Sequence, residues 1–131
     1  MTYAVNPGPS QSIAIGQIAL TVRDLARSVT FYRDLLGLKL LFQVPNMAFF
    51  DCGGIRLMLG LPQGTSQSFG SGSLIYFKVD HLEREAERLE SLGAAFERAP
   101  HLVARMPDHE LWMAFFRDPD GNALALMCEK R

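Results

Sequence analysis

Between Pro100 and Glu110 the chain brings two imidazoles and a carboxylate close together, His101, His109 and Glu110, with Trp112 just beyond. That set could make a facial metal triad. It could equally supply a base and an acid for moving a proton next to a carbonyl. A plainer reading stays open beside both, a surface loop in which Glu110 pairs with Arg105. If the segment is extended, His109 and Glu110 point opposite ways, so the three act together only where the loop folds them onto one cavity. Arg56, Tyr76 and Lys78 form a second group, able to orient an anionic ligand or, as rim residues, to reach into water. The chain has no Cys-x-x-Cys pair, no glycine loop opening a helix around phosphate and no nucleophile elbow. Cys52 and Cys128 read as two thiols of a reducing cytoplasm.

The stretch Gln17–Gly37 sets up the scaffold that must position these groups. Ile18, Leu20 and Val22 alternate with Gln17, Ala19 and Thr21, the period of a half-buried strand. Asp24 can cap a helix whose apolar stripe is Leu25, Val29, Tyr32 and Leu36, and Gly37 suits its stop. The same unit returns about 57 residues on: a strand from Leu74, Asp80 as expected cap, a helix over 82–92 with stripe Leu82, Ala86 and Leu89, and Gly93 as stop. Downstream, Phe49-Phe50 and Ile55–Leu59 are echoed by Phe115-Phe116 and Ala123–Met127. The fold class expected is therefore α+β, two tandem βαβββ modules with helices on the outer face.

With 131 residues, 48% of them hydrophobic, 21% charged and a net charge of -1, the chain reads as one ordinary globular domain. No basic footprint suggests nucleic acid and no apolar run suggests a membrane span. Residues 1–12 read as a loose arm and 13–131 as the domain: module one over 13–61, a Gly/Ser/Gln-rich linker over 62–73, and module two over 74–131. In module two, strands are expected over 94–98 and 111–117, with 100–110 an irregular loop. Four strands have one uniformly apolar alternate set, which must pack under the helices. Their other sets, Gln17-Ala19-Thr21, Arg56-Met58, Leu74-Tyr76-Lys78 and Ala123-Ala125-Met127, are mixed, and too apolar to be plain solvent surface. A cavity or an interface is expected on that mixed face, with the methionines and Trp112 favouring a flat or apolar ligand.

Ile18–Leu25, Ser28–Gly37 and Phe116–Asn122, together with the repeat, resemble the vicinal oxygen chelate superfamily of glyoxalase I, bleomycin resistance proteins and extradiol dioxygenases. The resemblance implies a curved half-barrel sheet, usually in a homodimer. It also implies a divalent metal held from four strands, at positions that fall here on Gln17, Met58, Leu74 and Ala125. Only Gln17 offers an oxygen and two of the four have no donor atom, so the usual metal centre is not expected and no cofactor is assigned. The function expected is binding of a small, partly apolar molecule in a pocket formed by Gln17, Arg56, Met58, Leu74, Tyr76, Trp112 and Ala125. The alternative is a glyoxalase-like lyase or isomerase whose catalytic groups, or ligands to a non-standard metal, are His101, His109 and Glu110.

Overall fold

The computed structural model describes residues 15–62 and 73–131. The expected arm and nearly all of the expected linker lie outside the described residues. Module one runs β1 (Gln17–Thr21), α1 (Leu25–Thr30), a π-helical turn (Phe31–Leu35), β2 (Lys39–Val44), β3 (Met47–Cys52) and β4 (Ile55–Gly60). Module two runs β5 (Ile75–Lys78), α2 (Leu82–Ser91), β6 (Phe96–Arg105), β7 (Glu110–Arg117) and β8 (Ala123–Lys130). Each module forms a four-stranded mixed sheet, ordered β1-β4-β3-β2 and β5-β8-β7-β6, so the two halves share one topology. In each, the first strand runs parallel to the last and the other pairings are antiparallel.

The period-two pattern accounts for the core. Leu20, Val22, Phe50, Leu57 and Leu59 are buried in module one, with Leu25, Val29 and Tyr32 from its helix. Leu124, Leu126 and Phe116 are buried in module two, with Leu82, Ala86 and Leu89 from α2. Asp24 caps α1 by accepting from the Arg27 amide at 3.1 Å. At α2 the expected cap is displaced: His81 holds the N-cap position, with no side-chain hydrogen bond, and Asp80 stands one residue outside it. Gly93, at φ +103°, supplies the left-handed stop.

The helices differ by one residue. From Leu25 to the glycine stop at 37 is twelve steps, and from Leu82 to the stop at 93 is eleven. The π-helical turn holds the extra residue, since the Leu36 amide donates to the Phe31 carbonyl five residues back, at 3.0 Å. A second departure is β6. The expected loop over 100–110 is mostly strand, and only Met106–His109 leave the ladder, closed by the Met106 amide on the His109 carbonyl at 2.8 Å. Pro100 is tolerated because β6 is an edge strand, and three register shifts absorb the irregular sequence.

The modules meet through a polar plug. The β7–β8 turn, residues 118–122, turns Asp118, Asp120 and Asn122 inward, each at most 7% exposed. Asp118 Oδ2 accepts from the Tyr32 hydroxyl at 2.8 Å and from Asn122 Nδ2 at 2.8 Å. Its Oδ1 accepts the backbone amides of Asp120 and Asn122 at 2.9 and 2.8 Å. Asp120 accepts from the Arg23 amide at 2.9 Å, Arg27 Nη2 at 3.2 Å and Ser28 Oγ at 3.2 Å. Among the described residues no buried side-chain polar atom is left without a partner.

Burial, then the Asp118 and Asp120 carboxylates, push the Tyr32 phenol far above its ordinary value of 10.0. The folded chain keeps a proton that the unfolded chain releases above that value. The contribution is therefore complete below about pH 10 and falls as the pH rises further. Tyr32→Phe is expected to lower stability by about 2 kcal/mol at neutral pH, by leaving a buried carboxylate short of a donor. The variant should also lose less stability than the parent between neutral and strongly alkaline pH. Urea denaturation at stepped pH reads both effects.

Candidate functional site

Strand register decides which side chains share the mixed face, because directly paired residues lie on one side of a sheet. In module one Gln17 pairs with Arg56, Phe49 with Met58 and Phe42 with Phe49. These five form a connected group. Gln17 Oε1 accepts from Arg56 Nε at 2.8 Å, and Gln17 Nε2 faces Met58 Sδ at 3.9 Å. The Arg56 guanidinium lies 5.5 Å from the centre of the Phe49 ring, which stacks on Phe42 at 4.4 Å. Among the described residues the Nη atoms of Arg56 have no hydrogen-bond partner, and the side chain is exposed.

In module two Tyr76 pairs with Ala125 and Lys78 with Met127. Tyr76 is exposed, Leu74 half-buried and Ala125 fully buried. Lys78 is committed to Glu129, with Nζ–Oε1 at 3.3 Å. His101 belongs to this face: it pairs with Met113, its ring lies 5.8 Å from that of Phe115, and its Nδ1 is 2.7 Å from the Ala99 carbonyl.

The other loop candidates separate from His101. His109 sits in the β6–β7 turn, with Nδ1 2.7 Å from Asp108 and Nε2 3.8 Å from Glu129. Its hydrogen bond holds the Asp108 carboxyl below the usual carboxylate range. Glu110 pairs in register with Lys130, and Trp112 with Cys128, which places both on the helix side of the sheet. Glu110 pairs with Arg105 at 3.5 Å, as the plainer reading of the sequence has it, and accepts from Trp112 Nε1 at 3.1 Å. Lys130 lies over the Trp112 ring at 4.2 Å. Trp112 thus leaves the face expected of it, for a reason visible in the numbering: it is an even number of residues from buried Ala114 and Phe116. Among the described residues no three His, Cys, Asp or Glu side chains come together to hold a metal ion.

The sequence places the cavity under the mixed face. A cavity of about 440 Å³ opens on the helix side, between the modules, and of the seven expected binding residues Tyr76 lines it.

Paired βαβββ modules, each with a parallel first and last strand and one helix outside, define the class. Residues 14–126 match the family model of the Glyoxalase/Bleomycin resistance protein/Dioxygenase superfamily, and the chain belongs to that superfamily. It is 31% identical to the uncharacterized protein YraH of Bacillus subtilis (strain 168), over 84% of this chain and 94% of that one. It is 29% identical to the glutathione transferase FosA of Serratia marcescens, over 86% of this chain and 79% of that one. Among solved structures, lactoylglutathione lyase from Agrobacterium tumefaciens superposes with a TM-score of 0.72 at 28% identity, covering 92% of this chain and 95% of that one.

The four positions that the resemblance assigns to a metal do not fit one. The Gln17 carbonyl is held by Arg56, whose positive charge would itself oppose a cation there. Met58 offers a thioether, and Leu74 and Ala125 offer no donor at all.

Because His101 and Glu110 lie on opposite faces and share no partner, their substitutions should act independently. The stability changes of His101→Ala and Glu110→Ala are expected to add within about 0.5 kcal/mol in the double variant. A larger coupling in urea melts would mean that the two groups do meet.

Proposed function

We propose that the chain binds a small, partly apolar anionic molecule on the mixed face, without a metal. One observation carries this reading: the Gln17 carbonyl holds Arg56 over Phe49, and among the described residues both guanidinium Nη atoms are without a hydrogen-bond partner. A fixed guanidinium beside a stacked aromatic pair can take a carboxylate or phosphate through its fork while the rings take the apolar body. Met58 adapts the floor to an irregular outline. Lys78, neutralised by Glu129, has the lesser role. Two relatives carry glutathione in their names, and glutathione, an anion, is one ligand to try. We also place the site in a homodimer, as the resemblance implies, and equilibrium sedimentation of the chain reads its mass directly.

The test is calorimetric titration of the chain with glutathione and a panel of aromatic carboxylates, before and after treatment with a chelator. Binding should survive chelation, and Arg56→Ala should weaken it by roughly tenfold or more, the effect of losing a charge-assisted hydrogen bond. Arg56→Lys should keep part of the affinity. A binding constant that collapses on chelation, or that Arg56→Ala leaves alone, overturns the reading.

A further inference from the structure

The two module junctions are built on one plan and finished differently. On one side the β7–β8 turn meets α1, and Asp118 and Asp120 fill the space by bonding Tyr32 and Ser28. On the other side the β3–β4 hairpin and α2 border one space. The hairpin's turn is the pair Gly53-Gly54, where the β7–β8 turn has residues 118–122, so it is shorter by three residues. The helix positions equivalent to Ser28 and Tyr32, 57 residues on, are Glu85 and Leu89. Neither reaches the hairpin as Tyr32 reaches Asp118. Leucine has no hydroxyl, and Glu85 turns aside to Arg88, at 2.9 Å. The space that the plug fills on one side is open on the other, and it is the cavity of about 440 Å³, bordered by Cys52, Gly53, Glu85, Arg88 and Leu89.

Its walls are apolar and come from both modules: Ile18, Ile55 and Leu57 face it from one, Ile75, Phe77 and Leu126 from the other. It has about three times the volume of the ~150 Å³ apolar cavity that holds a benzene, and lies within the ~300–1,000 Å³ typical of ligand pockets. The charged side chains on its border are already paired: Glu85 with Arg88, whose Nη1 also donates to the Leu35 carbonyl at 3.1 Å, and Lys78 with Glu129. One polar feature remains. The Val79 amide donates to the Met127 carbonyl at 2.9 Å, and alternate residues of a parallel strand turn their backbone the same way. The amides and carbonyls of Tyr76 and Lys78 therefore turn to the open edge of β5, and both residues line the cavity.

We propose that this cavity is a second binding site, for a neutral, largely apolar small molecule with one hydrogen-bonding group, of the class of a medium-chain alcohol or a bicyclic phenol. It is separate from the mixed face and does not rest on the reading of Arg56.

The probe is the neutral fluorophore N-phenyl-1-naphthylamine, titrated into the full chain and displaced with 1-decanol. One probe should bind per chain. Ile55→Phe and Ile18→Phe, each at a half-buried wall position, should weaken binding at least tenfold while the thermal midpoint stays level or rises. Arg56→Ala should leave it unchanged. A readout on the unmodified chain guards against a variant that fails to fold. Cys52 borders the cavity and is half-buried, whereas Cys128 is buried. Iodoacetamide labelling of Cys52, followed by peptide mass spectrometry at mildly alkaline pH, should slow several-fold under saturating decanol. No probe binding, binding indifferent to both phenylalanine variants in folded protein, loss of binding in Arg56→Ala, or a Cys52 rate unaffected by decanol each overturns the proposal.

Discussion

Two buried carboxylates hold this molecule together. Asp118 and Asp120 sit on one short turn of module two, and their partners are Tyr32, Ser28, Arg23 and Arg27 at the helix of module one. Removing a carboxylate from water is costly unless its lone pairs are taken up, and here several donors converge on each group. An apolar contact between the modules could slide. Hydrogen bonds of fixed length and direction cannot do so without stranding a charge, so the turn also sets how the two sheets lie. The placement of the gap beside α2, which both modules line, follows from that setting.

Much of this architecture could be read from residue order. The repeat, the stripes of both helices, the Asp24 cap and most strands follow from periods of two and 3.6, which are local properties. What escaped the reading is what depends on distant partners. Asp-Pro-Asp-Gly reads as a turn, and nothing near it in the sequence says that its carboxylates serve a helix more than 80 residues earlier. Pro100 reads as a break, and only the edge position of β6 shows why a strand can tolerate it. Asp80 reads as a cap because aspartate favours that role, yet the helix starts one residue later, past His81. Trp112 is the instructive case, since its face followed from the alternation with Ala114 and Phe116, and its size and chemistry suggested the opposite.

The candidate site shows the same division. The mixed face was recognisable strand by strand, but that the oxygen of Gln17 is held by a guanidinium depends on the register of β1 against β4. That contact changes the character of the corner. A side-chain carbonyl of the kind that ligates metals here accepts from a guanidinium and holds it in place. The sheet's two sides are thus dressed differently, with an oriented positive charge over aromatic rings on one and uncharged apolar walls on the other.

The added residue in the first helix makes the halves directional. Its π-helical turn lies where Tyr32 meets Asp118 and where the Leu35 carbonyl receives Arg88, so both junctions have grown around a feature that α2 lacks. A chain built from two copies of module two would press acidic turns against Leu89 and Glu85, with no phenol or serine to receive them. A chain built from two copies of module one would have a gap at each junction and no plug at either. The two modules share one outline and are complementary parts, neither able to stand in for the other.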